Sequence, residues 1–211
     1  MQPDVQRRHL ILGLSGMLLA GPALASRLLT TPAQTAGPFY PLEYPLDDDN
    51  DLTRVRGRNG VARGRIVDIE GRVLDADDRP IAGARVEIWQ CDANGRYHHP
   101  HDRGGPLDEH FQGFGHHTTD ANGRYRFRTI RPVPYPGRTP HIHYAVFIPG
   151  RRPFTTQLYV AGEPGNDGDF LYRRIPAERR HLVTSEFLPV RGGHAELTAR
   201  FDIILGGTPS V

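Results

Sequence analysis

A series of short β-patterned segments, separated by turn sequences, constrains the fold of this chain more than any other feature. Turn residues cluster at 77–80, and the sequence DANG occurs twice, at 92–95 and 120–123. No amphipathic helix of four turns separates the segments, which argues against alternating strands and helices. The pattern therefore predicts an all-β fold, a single-domain β-sandwich with an irregular N-terminal arm and long loops that would carry a site. The predicted strands cover 66–74, 84–90, 123–130, 141–148 and 196–205.

Three regions follow one another along the 211 residues. Residues 1–25 are typical of an export signal, because Arg7 and Arg8 precede an apolar run and a small-residue cleavage site ends at Ala25. The paired arginines favour the twin-arginine route and a periplasmic location, with a general secretory signal as the alternative. The apolar run is shorter than the roughly 20 residues that cross a bilayer, so we expect no membrane anchor. Residues 26–59 are predicted to form the extended arm, and residues 60–211 the sandwich.

Charge and cysteine content exclude some classes of protein. Charged residues make up 24% of the chain and leave a net charge of +2, so we expect no nucleic-acid surface. Cys91 is the only cysteine, which rules out an intrachain disulfide. The fold must therefore be held by its core, and Cys91 is predicted to be a small buried residue.

Two histidines and two tyrosines form the strongest candidate for a functional site. On a strand, His141 and His143 point to the same face with their Cα atoms about 6.6 Å apart, so that one metal ion can accept both. Tyr135 lies in a proline-rich loop and Tyr97 follows a turn, so neither has an obvious place in a sheet interior. A phenol ligand favours ferric iron, because a strongly acidic cation must lower its pKa from about 10. The His-x-His pair alone fits zinc or copper equally well, and it also fits two hydrogen-bonding histidines without a metal.

Several motifs carry a resemblance to a known family. They are QTAGPFYP at 34–41, GARVEIWQ at 83–90, GRY at 95–97, YRFRTIRP at 125–132, YP at 135–136, RTPHIH at 138–143 and TQLY at 156–159. Together and in this order they resemble the intradiol ring-cleavage dioxygenases, and the compact protocatechuate 3,4-dioxygenase type most closely. The resemblance extends over most of the chain after residue 25.

This resemblance implies an activity and a set of site residues. It implies a non-haem Fe(III) ion as cofactor and a catechol and O2 as substrates, with cleavage between the two hydroxyl-bearing carbons to give a cis,cis-muconate. Arg138 would lie next to the bound ring, Gln157 near the site, and Tyr135 would accept a substrate proton as it leaves the metal. A homo-oligomer with contacts from the arm is also implied. The implied metal ligands are Tyr97, Tyr135, His141 and His143.

The sequence departs from the family in one place and leaves two other functions open. Only five residues separate Tyr135 from His141, fewer than is usual in the family, and Gly137 remains in that loop. The site is therefore expected to be more open. Residues 71–89 also resemble transthyretin-like modules, so a non-catalytic binding sandwich is the alternative function. A relative that retains iron without turnover is a third possibility.

The remaining histidines are predicted to have less specific roles. They lie in a polar stretch with two adjacent glycines, which favours loop or pocket-rim positions. A peripheral copper or zinc site is the alternative. This prediction covers His98, His99, His101, His110, His116 and His117.

Overall fold

The computed structural model describes residues 27–45 and 47–206, and within these residues ten strands form two five-stranded sheets. The export signal predicted for residues 1–25 lies outside the described residues. None of the helices in the described ranges is both long and apolar enough to cross a membrane.

The first sheet is built around strand β1, Ile66–Asp75. Strand β4, Arg124–Ile130, pairs antiparallel with β1. Strands β9, Leu197–Arg200, and β10, Ile203–Leu205, both pair with β1 in parallel. The short strand β8, Leu188–Pro189, lies antiparallel beside β9.

The second sheet has the strand order β3-β2-β5-β6-β7. These strands are β2 at Arg85–Trp89, β3 at Phe114–Thr118, β5 at His141–Phe147, β6 at Phe154–Val160 and β7 at Thr184–Ser185. The first four are antiparallel neighbours, and β7 adds to β6 in parallel. The register places His143 between Trp89 and Gln157 on the neighbouring strands.

The core lies between the inner faces of the two sheets, as the alternation of apolar residues predicts. It includes Val67 and Ile69 from β1 and Ile142 and Tyr144 from β5. Gly71 is required on β1, because a Cβ atom at this position would lie 1.8 Å from the carbonyl oxygen of Phe201. The predicted two-layer β-sandwich is therefore confirmed.

Four strands, β3, β6 and the two-residue strands β7 and β8, were not predicted from the sequence, and one predicted strand is divided in two. Strand β6 is buried on both faces over Gln157 to Val160, so it lacks the alternation that identifies a half-buried strand. Strand β3 carries His116 and His117, so neither lies in a loop, which was one of the two kinds of position predicted for them. The predicted strand 196–205 is interrupted at Asp202, whose side chain accepts a hydrogen bond from the Arg72 backbone N–H at 2.9 Å.

Two segments without strands lie beside the second sheet: the N-terminal arm and the chain between β6 and β7. The arm runs beside β6, where the Gln34 backbone N–H donates to the Thr155 carbonyl at 2.8 Å. The segment between β6 and β7 contains short 3-10 helices at Pro164–Gly168 and Ala177–Val183 and the single-turn helix α1 at Phe170–Arg173. Phe39 and Tyr40 of the arm pack on the outer side of β2 and β5, and the segment between β6 and β7 packs against Tyr159 of β6.

Candidate metal centre

His141 and His143 face each other on the outer side of β5. Their Nε2 atoms lie 3.1 Å apart, and the two residues are only 2% and 1% exposed. Nδ1 of His141 lies 2.7 Å from the Thr139 carbonyl oxygen. Because a carbonyl can only accept, this Nδ1 carries the hydrogen and the Nε2 lone pair points towards His143. Two nitrogens at this distance require a proton or a cation between them.

The two imidazoles are neutral at physiological pH. Burial, with the positive charge of Arg138 as the second cause, lowers the pKa of His141 to about 3. Burial and the neighbouring His141 hold the pKa of His143 well below its ordinary value. The His143 ring stacks on Trp89 with ring centroids 4.9 Å apart. Its Nδ1 is buried and has no hydrogen-bond partner among the described residues, so stacking orients this ring.

Tyr97 enters the site directly after the first DANG turn. Asp92 closes that turn by accepting hydrogen bonds from the backbone N–H groups of Asn94 and Arg96 at 2.8 and 3.1 Å. The Tyr97 ring stacks on Phe39 of the arm with centroids 4.7 Å apart. Its hydroxyl is buried and lacks a hydrogen-bond partner in the described parts of the chain. Burial raises the pKa of this phenol well above its ordinary value, with nearby Tyr135 as the second cause.

Tyr135 begins a tight turn that ends at Arg138. The Arg138 backbone N–H donates to the Tyr135 carbonyl at 2.9 Å. Pro136 and Gly137 occupy the central positions, and the φ of +82° at Gly137 is the conformation that a type II turn requires of its third residue. Burial raises the pKa of the Tyr135 phenol, while the charge of Arg138 opposes this increase.

The four predicted side chains form a closed ring of neighbours. Ring centroids lie 5.4 Å apart for Tyr97 and Tyr135, 5.5 Å for Tyr135 and His141, 4.8 Å for His141 and His143, and 6.1 Å for His143 and Tyr97. Within residues 27–45 and 47–206, no group of three His, Cys, Asp or Glu side chains could hold a metal ion. A metal in this cluster would therefore need the phenol oxygens. Two phenols and two neutral imidazoles suit a strongly acidic cation, and the unpartnered Tyr97 hydroxyl fits a ligand position.

Arg138 and Gln157 lie beside this ring and contact each other. Nη2 of Arg138 donates to Oε1 of Gln157 at 2.6 Å, and its Nη1 lies 3.5 Å from the Tyr135 hydroxyl. The Gln157 amide nitrogen donates to the Thr35 carbonyl at 3.1 Å. Both residues named from the resemblance thus lie at the cluster, with Arg138 nearer to the phenol.

Sequence reasoning missed other residues of this site. Tyr159 donates to Oε1 of Gln157 at 3.0 Å, and Gln34 of the arm donates to the Tyr159 hydroxyl at 2.9 Å. Asp169 accepts a hydrogen bond from Nε of Arg138 at 2.8 Å. Gln34 and Tyr159 lie in motifs that carried the resemblance, whereas Asp169 lies in a Gly- and Asp-rich connection without any such signal.

The other histidines lie outside the ring of four. His99 is buried two residues beyond Tyr97, and its Nδ1 accepts a hydrogen bond from the His101 backbone N–H at 3.2 Å. Nδ1 of His116 lies 2.7 Å from the Asp48 carbonyl oxygen. These contacts give both histidines hydrogen-bond partners outside the ring of four.

The two-layer β-sandwich is the fold of solved intradiol ring-cleavage dioxygenases. Residues 35–207 match the family model described as Dioxygenase, and the chain belongs to the intradiol ring-cleavage dioxygenase family. The resemblance found from the motifs is thereby confirmed. The family is known to use non-haem Fe(III).

Known relatives differ in the substrate that they act on. The chain is 40% identical to the protocatechuate 3,4-dioxygenase beta chain of Burkholderia cepacia over 81% of this chain and 77% of the relative. It is 35% identical to hydroxyquinol 1,2-dioxygenase of Corynebacterium glutamicum over 64% of this chain, and it spans about half (48%) of that relative's length. A solved dioxygenase domain from Streptomyces sp. SirexAA-E, part of a carbohydrate-binding fusion protein, is 30% identical with a TM-score of 0.65, over 84% of this chain and 98% of that one.

Proposed function

We propose that this chain is a non-haem iron(III) intradiol dioxygenase whose ion is held by Tyr97, Tyr135, His141 and His143. The observation that carries the proposal is the closed ring of these four side chains, in which the buried Tyr97 hydroxyl has no hydrogen-bond partner in the described residues. An unpaired buried hydroxyl costs about 1–3 kcal/mol, and a bound cation would remove this cost at Tyr97, beside two neutral imidazoles.

The raised phenol pKa values explain why the ion would be ferric. Burial keeps both tyrosines protonated in the absence of a metal. Only a strongly acidic cation can displace these protons at neutral pH, and two phenolates would leave a trivalent ion with a single net positive charge. When bound, such an ion supplies a site that takes both catechol oxygens as anions and makes the ring electron-rich.

The protein's own residues provide proton transfer and charge stabilisation. The Tyr135 phenolate oxygen would accept one of the two catechol protons and the other would pass to hydroxide from solvent, so no further protein base would be needed. The Arg138 guanidinium, 3.5 Å from that oxygen, stabilises negative charge that develops on the ring. Gln157 accepts from Nη2 of Arg138 and thus orients the guanidinium.

The proposed substrate is a catechol, a ring with two adjacent hydroxyls, and the product is a cis,cis-muconate. Protocatechuate and hydroxyquinol, which name the two relatives, are substituted members of this class. Gly137 supports a tolerant site, because, apart from its two chain neighbours, no heavy atom of the described residues lies within 4 Å of the position that a Cβ would occupy there. We therefore propose that ring substituents extend past this turn.

Oxygen uptake by the iron-loaded chain tests this function. We expect catechol to cause consumption of one O2 per ring and formation of a muconate identified by mass and ultraviolet absorption. Absence of iron and of uptake would favour the non-catalytic binding module, and iron without uptake would favour a relative that has lost turnover. An extradiol aldehyde product would contradict the proposed cleavage position.

Location and assembly remain proposals. We propose export to the periplasm through the twin-arginine-type signal at residues 1–25, and a homo-oligomer in which the arm makes contacts. Sizing of the iron-loaded protein by light scattering tests the assembly, and fractionation of cells with and without the Arg7–Arg8 pair tests the route.

A further inference from the structure

The carboxylate of Asp169 is buried and accepts four hydrogen bonds from two separate parts of the chain. Its Oδ2 accepts from Nε of Arg138 at 2.8 Å and from the Thr139 backbone N–H at 3.0 Å. Its Oδ1 accepts from the backbone N–H groups of Leu171 and Tyr172, both at 2.9 Å, and so caps helix α1. This single carboxylate therefore links the segment that follows β6 to the turn that precedes β5.

Arg138 and Asp169 form a buried ion pair. The exposed fractions of the two side chains are 8% and 0%. Burial alone would raise the pKa of Asp169, but the hydrogen bonds from Tyr172, Arg138 and Thr139 outweigh it and lower the pKa below its ordinary value. The carboxylate is therefore charged, and it balances a guanidinium that would otherwise be desolvated without a counter-charge.

The contact at Nε determines which side of the guanidinium faces the metal centre. With Nε held by Asp169, Nη2 reaches Gln157 and Nη1 faces the Tyr135 hydroxyl. Nη2 also lies 3.4 Å from the Tyr159 hydroxyl, so the shortest contacts of the terminal nitrogens converge on Nη2. The contact at Nε adds a second short contact on a separate nitrogen, and two such contacts fix the guanidinium plane.

We propose that Asp169 is a positioning residue, which fixes the Arg138 guanidinium towards Tyr135 without touching substrate itself. This inference rests on the proposed function, because it assigns Asp169 an effect on a reaction that Arg138 assists. The same Oδ2 also holds the Thr139 peptide, whose carbonyl accepts from Nδ1 of His141. The double-mutant cycle below separates the contact with Arg138 from this second contact.

Asp169→Asn is the first variant, because it keeps the shape and removes the charge. One oxygen of the new amide can still cap α1, but its nitrogen only donates and would face the two donors of Arg138 and Thr139. We expect kcat/KM for catechol to fall by about tenfold to a hundredfold with unchanged iron content, because a misplaced catalytic group costs rates of this order. Tyr172→Phe, which removes only a hydroxyl of the same helix, is the matched control and should retain the wild-type rate.

A readout without iron tests the contact directly. In the metal-free protein, we expect the Nε–H of Arg138 to give an NMR signal that exchanges slowly with solvent in the wild type and in Tyr172→Phe. In Asp169→Asn this slow exchange should be lost. Slow exchange that persists in Asp169→Asn would overturn the proposal.

A double-mutant cycle distinguishes positioning from a merely structural role. If Asp169 acts through Arg138, Asp169→Asn should cause no further loss of kcat/KM in an Arg138→Gln background. A loss of the same factor in both backgrounds would overturn the proposal. If Asp169→Asn alone does not fold, recovery of folding in the double variant supports the pairing, and failure of both variants contradicts it.

Failure of the proposed function is distinguishable from failure of this inference. A wild-type chain without iron or turnover would refute the dioxygenase, whereas the exchange of the Arg138 Nε–H and the folding of the double variant would still decide the role of Asp169.

Discussion

The outer faces of the two sheets carry similar polar side chains but differ in what covers them. On the first sheet, Arg128 and Asp68 form a two-bond ion pair at 2.8 Å in which the side chains are 31% and 39% exposed. On the second sheet, the arm and the connecting loops cover the face of β5, and His141 and His143 are almost inaccessible. The comparison indicates that the site is created by the covering segments as much as by the strands.

Burial changes the energetic role of the same kind of interaction. An exposed ion pair such as Arg128–Asp68 contributes about 0–1 kcal/mol to stability. Breaking a buried pair such as Arg138–Asp169 by removing one partner costs about 3–5 kcal/mol, because the other charge remains desolvated. The covered face is therefore where single polar substitutions are expected to have large effects.

The largest expected effect is loss of metal from the covered face. Tyr97→Phe or His141→Ala should abolish iron retention, because each removes one of four proposed ligands, while far-ultraviolet circular dichroism should still report a folded sandwich. Tyr44→Phe, which removes a phenol hydroxyl outside the ring of four, is the control and should bind iron normally. Normal iron content and turnover in Tyr97→Phe and His141→Ala would refute the ligand assignment.

The second effect is on kcat, and it compares the loss of an arginine from the covered face with the loss of one from the open face. Arg138→Ala should keep its iron and lower kcat by about a hundredfold or more, since it removes a donor that stabilises developing charge. Arg128→Ala, on the open face, should leave kcat unchanged. Steady-state oxygen uptake measures both, and equal rates in the two variants would contradict the role of Arg138.

The third effect compares the stability of the two ion pairs in metal-free protein. Asp169→Asn should lower the free energy of unfolding by about 3–5 kcal/mol and Asp68→Asn by no more than about 1 kcal/mol. Urea titration followed by tryptophan fluorescence measures both values. Similar losses of unfolding free energy in the two variants would contradict the claim that the Arg138–Asp169 pair is desolvated.

The smallest effect comes from alanine substitutions at two glycines, of which only one lies next to the metal centre. Gly37 and Gly57 have φ values of +71° and +79°. A Cβ on Gly37 would lie 3.4 Å from Cε1 of His143, whereas one on Gly57 would meet no described atom within 4 Å beyond its two chain neighbours. Alanine at either position should cost about 1–2 kcal/mol of stability, because a non-glycine residue is strained at these φ values. Only Gly37→Ala should also shift the visible spectrum of the iron-loaded protein, and identical spectra for the two variants would argue against arm contact with the centre.

The sequence predicted those parts of the molecule that depend on local pattern. Alternation placed His141 and His143 on one face of β5. The turn at residues 92–95 placed Tyr97, and the proline-rich loop at residues 131–136 placed Tyr135, outside the sheet interior. The part of the fold that lacked alternation, such as the fully buried strand β6, was missed because periodicity cannot identify it. Asp169 was missed because its contact with Arg138 joins residues 31 positions apart, and no local rule specifies which loop covers which face.

The visible spectrum of the chain from Ser26, recorded with its iron content before and after anaerobic addition of catechol, tests the central claim most directly. The account predicts a red-brown charge-transfer band from tyrosinate bound to ferric iron, and a shift of that band when catechol occupies the open position. A protein that stays colourless after ferric reconstitution, or whose band survives in Tyr97→Phe without change, would contradict it.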